Sequence, residues 1–379
     1  MRKRIAVLGS TGSVGTSTLR VARHLKDDLE IVALAAKSNI DELEKQAREF
    51  SPKLVAVFEV EAARELQRRI PGIPVVAGME GLKAVASFGE ADFAMLAMTG
   101  SVGLLPAIAA IESGKEIGLA NKEVLICAGE LINGLVKKCG TRMLPVDSEH
   151  SALFQCLKGE DRGAVRRLIL TASGGSLRNK SMEELECVTV EEALARPNWK
   201  MGAKVAIDTT TLINKGFEMI EARWLFDIEP ERIEAVVHPQ SRIHSFVEFI
   251  DGSMIAQMAE ADMVLPIQYA LTYPERKRGL LPPYDFVKNG TLNFYPPDKE
   301  KFRCLQLAVD VMKAGKSYPC YLNAANEILV DRFLKREIPW TAIGTKLEKL
   351  ISSHQVANVL TLEAILSVDQ RAREEAQCA

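Results

Sequence analysis

The chain has no surplus of either charge: its 379 residues set 48 Lys and Arg against 50 Asp and Glu. Binders of nucleic acid or acidic membranes usually carry a basic excess, so neither partner is expected. The seven cysteines, at 127, 139, 156, 187, 304, 320 and 378, are odd in number, widely spaced and never in a CxxC pair, and there are only five histidines. That pattern excludes a disulfide frame and a zinc site and leaves reduced thiols. No window approaches the roughly 18 uncharged apolar residues of a membrane span. Met1-Arg2-Lys3-Arg4 begins like a signal peptide, but the apolar stretch 5–8 stops at Gly9. No secretion signal is therefore expected, and a cytoplasmic location is. Internal repeats and low-complexity tracts are also missing.

What is present is a 47% hydrophobic chain with material for a sizeable core and a length that suits two or three domains. Up to about residue 146, short apolar runs (5–8, 31–34, 54–57, 75–76, 93–97, 117–120, 143–146) alternate with amphipathic stretches (41–50, 61–70, 102–113, 123–138). Such alternation predicts a parallel, doubly wound, Rossmann-like α/β domain over 1–147. The rhythm then changes to strand-like runs at 168–172, 235–237, 245–250 and 253–258 and one helix-like run at 205–226, which predicts an α+β domain over 148–273. Five of the sixteen prolines lie at 274, 282, 283, 296 and 297, so 274–300 reads as a linker. Helical segments at 304–313, 323–335, 341–352 and 362–376 predict a C-terminal helical bundle over 301–379.

Gly9-Ser10-Thr11-Gly12-Ser13-Val14-Gly15 follows the first strand and opens a helix expected to begin near Thr16. Glycines let the backbone turn tightly and approach a pyrophosphate, whose charge meets the free N–H groups of the helix start. The spacing is GxxGxxG rather than the usual GxGxxG, but the strand before and helix after point to a dinucleotide. NAD-binding folds usually carry an acidic residue at the end of the second strand. Here that position reads Lys37-Ser38-Asn39, a cation and two small polar groups, which favours the 2′-phosphate of NADPH.

Asp147 and Glu149 follow the last strand of the first domain, where open α/β sheets bind ligands. In an extended chain residues i and i+2 point the same way, so the two carboxylates would present oxygens to one ion. Glu218, in Asn214-Lys215-Gly216-Phe217-Glu218, is a third. Hard oxygen donors without thiolate indicate Mg²⁺ or Mn²⁺. The spacing equally suits solvated acidic pairs. Ser173-Gly174-Gly175-Ser176 forms a candidate anion nest, and Thr209, Asn214 and Lys215 add donors. With Arg196 and a lid-like Trp199 they suggest a phosphorylated substrate. His238 and His244 are read as structural.

Together these stretches resemble the 1-deoxy-D-xylulose 5-phosphate reductoisomerase family. The carriers are GSTGSVG at 9–15, LANKE at 119–123, PVDSEHSALFQ at 145–155, LTASGG at 170–175, RPNWKMG at 196–202, NKGFE at 214–218, HPQSRIHS at 238–245 and PIQYAL at 266–271. The resemblance implies a homodimeric enzyme of isoprenoid biosynthesis that rearranges 1-deoxy-D-xylulose 5-phosphate and reduces it with NADPH. It implies Asp147, Glu149 and Glu218 as ligands of the divalent ion, and Ser173, Thr209, Asn214 and Lys215 as phosphate binders. Lys122, Ser148 and Glu149 would meet the ketose hydroxyls, with Lys122, Glu149 and Lys215 in the chemistry. Trp199 and Met201 would lie on a closing loop, and Thr11, Gly12, Ser13, Val14, Lys37, Ser38, Asn39, Asn121, Glu123 and Gly202 would line the cofactor.

Departures from the family pattern include Arg196 for the usual His, Thr209 for Ser, Ser176-Leu177 for Pro-Phe, and Val264 where Arg is usual. Arg196 still offers two parallel hydrogen bonds to a phosphate, though the exchange is not neutral. Two other readings compete. An aspartate-semialdehyde-dehydrogenase-like enzyme would need a nucleophilic Cys beside a His, and no cysteine here has that setting. A non-catalytic NADPH-binding relative would bind cofactor and ion without turnover, yet the carboxylates and Lys215 that drift would erode are intact.

Overall fold

A computed structural model describes residues 2–195 and 202–379. The chain forms two compact units that do not follow chain order: Met1–Val124, Ile132–Ser151 and Asp262–Pro282 make the first, and Leu125–Leu131, Ala152–Ala261 and Pro283–Ala379 the second.

The first unit is built on seven parallel strands: β1 (Lys3–Leu8), β2 (Leu29–Ala36), β3 (Leu54–Val57), β4 (Val75–Ala77), β5 (Phe93–Leu96), β6 (Glu116–Leu119) and β7 (Met143–Pro145). The helices between them are α1 (Ser13–His24), α2 (Ile40–Phe50), α3 (Val60–Arg69), α4 (Gly78–Ala86), α5 (Leu104–Glu112) and α6 (Glu123–Cys139). All seven apolar runs read from the sequence are strands. Ile5, Val7, Ala33, Leu34, Val55, Phe93 and Met95 are fully buried, as expected of strands covered on both faces, whose sequence is uniformly apolar rather than alternating.

Strand order is β4-β3-β2-β1-β5-β6-β7. The direction in which strands are added reverses after β4, so right-handed crossovers place α1 to α3 on one face and α4 and α5 on the other. The reversal leaves a crevice at the carboxyl ends of β1 and β5, the place where such sheets bind ligands. The next helix, α7 (Ser148–Cys156), starts directly after Asp147. The extended conformation expected at Asp147 and Glu149 is therefore wrong: the acidic Asp147 side chain accepts from the Glu149 N–H at 3.3 Å, starting a helix rather than continuing a strand.

The second unit holds a four-stranded sheet in the order β11 (Met254–Met258), β10 (Ile243–Phe249), β8 (Val165–Ala172), β9 (Ile233–Val237), with β8 and β9 parallel and the other pairs antiparallel. Two short helices, α8 (Met182–Glu186) and α9 (Val190–Leu194), each begin with a capping box. The expected single helix over 205–226 is two, α10 (Ala203–Thr210) and α11 (Ile213–Phe226), separated by Leu212 at φ +60°. The break has a local cause. Thr209, Thr210 and Thr211 all return their hydroxyls to carbonyls three or four residues back, at 2.8, 2.7 and 3.2 Å, which competes with helix propagation.

Helix α12 (Val264–Thr272) packs with the first unit, beside α1, β6 and β7. The C-terminal bundle is α13 (Arg303–Ala314), α14 (Tyr318–Leu334), α15 (Trp340–Ser353) and α16 (Leu362–Cys378). Pro319 sits in the first turn of α14, where its missing N–H costs nothing, so that helix starts five residues before the expected Asn323. Close contact between α11 and α13 depends on Gly216: a Cβ there would lie 2.2 Å from the Ala308 Cβ. Among the described residues no helix is long and apolar enough to cross a membrane.

Candidate active site

In the first unit, the loop after β1 fills the crevice. Gly9 has φ +82°, and a Cβ on it would lie 2.5 Å from the Ala97 carbonyl oxygen, just past the end of β5. A Cβ on Gly15 would lie 2.2 Å from the Gly9 carbonyl oxygen. Only glycine lets this loop fold back on its own helix and press against the neighbouring strand end. Helix α1 starts at Ser13, three residues before the expected position, with Gly12, which has no side chain to cap it, at its N-cap. Thr11 and Val14 are half-buried, and Gly12 and Ser13 are exposed there. The arrangement is a backbone cradle for an anion, with the helix dipole adding to it.

Lys37, Ser38 and Asn39 are all exposed at the end of β2. Asn39 also caps α2, accepting from the Glu42 N–H at 3.2 Å. Asn121 is buried and fully engaged: its amide donates to the carbonyls of Met98 (2.8 Å) and Gly100 (3.0 Å) and its oxygen accepts from the Val124 N–H (3.0 Å). It therefore fixes the chain after β6 to the chain after β5. Glu123 is buried at the first position of α6.

The Lys122 ammonium lies 3.0 Å from Asp147 Oδ2. The buried His150 ring has Nδ1 3.6 Å from Asp147 Oδ1. Burial pushes the Asp147 carboxyl up, but Lys122 and His150 outweigh it and hold the group well below the usual carboxylate range. Ser148 donates its hydroxyl to Glu149 Oε2 at 2.5 Å. The sequence reading did not single out His150; its signal is the three-residue spacing from Asp147 across a helix start.

In the second unit, Gly174 and Gly175 follow β8 with φ +88° and +73°, and the Ser173 hydroxyl accepts from the Gly175 N–H at 3.3 Å. A Cβ on Gly175 would lie 2.7 Å from the Thr209 carbonyl oxygen, so the nest sits directly against α10. The Thr209 hydroxyl donates to the Val205 carbonyl. Arg178 also reaches the nest, donating to the Ser173 carbonyl at 3.3 Å. On α11, Asn214 and Lys215 hydrogen-bond the two carboxylate oxygens of Glu218, and both Lys215 and Glu218 are buried. Ser173, Thr209, Asn214, Lys215 and Glu218 thus belong to one unit, with the nest against α10 and the charged cluster on the next helix. Gly202 caps α10. Arg196, Trp199 and Met201 lie outside the described residues.

His238 is held from both ring nitrogens: Nδ1 donates to the Asn293 carbonyl at 2.9 Å, Nε2 accepts from the Arg242 N–H at 3.1 Å, and the ring stacks on Phe294. His244 is a buried residue of β10.

Comparison with known proteins gives three family matches. Residues 5–129 match the 1-deoxy-D-xylulose 5-phosphate reductoisomerase model, 143–226 that enzyme's C-terminal domain model, and 258–375 the DXP reductoisomerase C-terminal domain model. A 1-deoxy-D-xylulose 5-phosphate reductoisomerase of Protochlamydia amoebophila (strain UWE25) is 58% identical over 99% of this chain and 97% of its own length. One of Chlamydia trachomatis serovar L2 is 47% identical over 99% of both. Among solved structures, the Zymomonas mobilis reductoisomerase in complex with NADPH has a TM-score of 0.94 at 39% identity, covering 100% of this chain and 99% of that one. A DOX-P reductoisomerase in complex with NADPH, fosmidomycin and magnesium has a TM-score of 0.93 at 38% identity, covering 99% and 98%.

Proposed function

The chain belongs to the 1-deoxy-D-xylulose 5-phosphate reductoisomerase family, and from that premise we infer the roles of its residues. It is an NADP-dependent, metal-dependent oxidoreductase that rearranges 1-deoxy-D-xylulose 5-phosphate and reduces the product to 2-C-methyl-D-erythritol 4-phosphate. The carrying observation is coverage: a relative 58% identical spans 99% of this chain, and Lys122, Asp147, Glu149, Lys215 and Glu218 of the motifs are all present in this sequence. That intactness favours the catalytic reading over a non-catalytic relative.

The residues fit both NADPH and a divalent ion. Gly9 and Gly15 form a cradle that a Cβ would fill, at the start of α1, and Lys37 stands where an acidic residue would repel a 2′-phosphate. Thr11, Gly12, Ser13, Val14, Lys37, Ser38, Asn39, Asn121, Glu123 and Gly202 are assigned to NADPH. Asp147, Glu149 and Glu218 form an all-carboxylate donor set suited to Mg²⁺ or Mn²⁺, and Asp147 is held ionised by its neighbours. When bound, the ion supplies Lewis acidity to the ketone and its adjacent hydroxyl, and NADPH supplies the hydride.

Lys122 donates to the ketose hydroxyls while keeping Asp147 charged. Ser148 orients Glu149, which accepts a hydroxyl proton from the substrate as general base. Ser173 and the Gly174–Gly175 N–H groups take the phosphate, with Thr209 turning its hydroxyl proton from the Val205 carbonyl to a phosphate oxygen. Lys215 and Asn214 add a cation and an amide; drawing Lys215 toward the phosphate uncovers a carboxylate oxygen of Glu218. Arg196 grips the same phosphate, and Trp199 closes over the substrate. Phosphate binding far from the reacting bonds supplies energy for excluding water.

By role, we assign NADPH binding to 1–147, metal and substrate binding to 148–273, connection to 274–300 and support to 301–379. We place the enzyme in the cytoplasm as a homodimer. Exposed apolar side chains of the second unit, Ile250, Met254, Ile255, Phe286 and Val287, support self-association. Light scattering giving one subunit's mass would remove the dimer. The reaction is tested by ¹³C NMR of the chain incubated with 1-deoxy-D-xylulose 5-phosphate, NADPH and Mg²⁺: a branched methylerythritol phosphate is expected, and unchanged ketose would refute the activity.

A further inference from the structure

Asp208 is the sixth of the eight residues of α10 and 1% exposed. A carboxylate there is doubly disfavoured, by burial and by the negative end of the helix dipole. It is held by two partners, one for each oxygen. Lys204, one turn earlier, has its ammonium 2.8 Å from Oδ2. Asn326, on α14 of the bundle and itself fully buried, donates its amide to Oδ1 at 2.8 Å. Two residues on, Thr210 Oγ1 accepts from the Trp340 indole at 2.9 Å, at the start of α15. The last turn of α10 is thus hydrogen-bonded twice to the C-terminal bundle, on either side of Thr209.

The backbone of α10 at Thr209 and Thr210 lies close against the nest, since a Cβ on Gly175 would lie 2.7 Å from the Thr209 carbonyl oxygen and 3.0 Å from Thr210 Cα. A small slide of α10 along its axis would change the spacing between the Thr209 hydroxyl and the N–H groups of Gly174 and Gly175. A tetrahedral anion bound by both needs that spacing held to a fraction of an ångström. The Asp208–Asn326 bond, with the Trp340–Thr210 bond beside it, opposes such a slide.

We propose that Asp208 is a positioning residue for the substrate phosphate: clamped by Asn326 and Lys204, it uses the helical bundle to set Thr209 against the Ser173–Gly175 nest. The inference rests on the reading that Thr209 and the nest bind that phosphate. It gives the bundle a part in affinity although no bundle residue is assigned to the substrate.

The test is steady-state kinetics of the full-length enzyme, with inorganic phosphate as a competitive probe. Asp208→Ala and Asn326→Leu should each raise KM for 1-deoxy-D-xylulose 5-phosphate and the inhibition constant of phosphate about tenfold, with kcat within about twofold and NADPH affinity unchanged. Unchanged constants in these variants, or a fall in kcat at constant KM, would overturn the clamp. If the single variants do not fold, the exchange Asp208→Asn with Asn326→Asp restores a carboxylate–amide pair with the roles reversed. Recovery to within about threefold of the parent KM supports the clamp, and no recovery overturns it. Thr209→Ala separates the two levels. If it leaves both constants unchanged, the phosphate reading fails and the clamp with it; if it raises them while Asp208→Ala does not, the clamp alone fails.

Discussion

The Lys122 ammonium lies 3.0 Å from Asp147 Oδ2, and both side chains are largely withdrawn from solvent. The pair joins the start of α6 to the segment between β7 and α7, so two loops at the strand carboxyl ends share one charge relationship. A cation beside a proposed metal ligand has two opposed effects. It keeps the carboxylate ionised, and it competes with the metal for that carboxylate.

Removing the cation should separate those effects. Lys122→Met is expected to leave Mn²⁺ affinity equal or raised by about tenfold at most, because one positive charge near the ion is gone. Turnover should fall at least about a hundredfold as the substrate loses its donor. Electron paramagnetic titration of Mn²⁺ beside initial rates checks both, and weakened ion binding with normal turnover would reverse the assignment.

Glu218→Gln keeps the shape of the side chain and removes its charge. Turnover should drop by about a thousandfold or more, with the NADPH dissociation constant within about twofold of the parent, since the glycine loop is untouched. Activity like the parent's would take Glu218 out of the metal set.

Much of this is legible in the sequence. The strands of the first sheet are buried on both faces and so appear as unbroken apolar runs, and the glycine loop announces itself by position. Two local conformations were not legible. The i, i+2 spacing of Asp147 and Glu149 suits a strand as well as a helix start, and the Glu149 N–H donating to the Asp147 carboxylate decides for the helix. The run 205–226 has helical periodicity throughout, and only the hydroxyls of Thr209 to Thr211 interrupt it. The Asp208–Asn326 bond spans 118 residues, and no local pattern encodes a partner that distant.

Gly15→Ala tests the cradle. A methyl group 2.2 Å from the Gly9 carbonyl and 2.5 Å from Ser10 Cα meets backbone that cannot step aside. Folding stability should fall by about 2 kcal/mol or more and NADPH affinity by at least about tenfold. Thermal melts and NADPH fluorescence titration report the two, and an unaltered dissociation constant would show that the loop does not hold the pyrophosphate.

The bundle carries its own pH dependence. Burial and the nearby Arg371 guanidinium lower the His354 pKa to about 4, against the opposing pull of Glu375. Arg371 donates to Nδ1 at 3.3 Å, so the neutral ring carries its proton on Nε2, 2.8 Å from the Ser317 hydroxyl. Because the unfolded chain takes up this proton near 6.5 and the folded one only near 4, the unfolded state binds more protons in that window. His354 therefore imposes no pH dependence above about 6.5, and destabilises the fold progressively as pH falls toward about 4. In His354→Asn the decline in melting temperature across that window should be shallower, and an identical slope would discount the histidine.

The most direct test of the central claim is the initial rate of NADPH oxidation by the purified chain on adding 1-deoxy-D-xylulose 5-phosphate, with Mg²⁺, with Mn²⁺ and with chelator, and with NADH in parallel. Oxidation that requires the ion, and runs at least about tenfold slower with NADH, is expected of Lys37 in place of an acidic residue and an all-carboxylate metal set. Absence of turnover under every metal, with NADPH still bound, would contradict it and leave a cofactor-binding protein that no longer catalyses the reaction of its family.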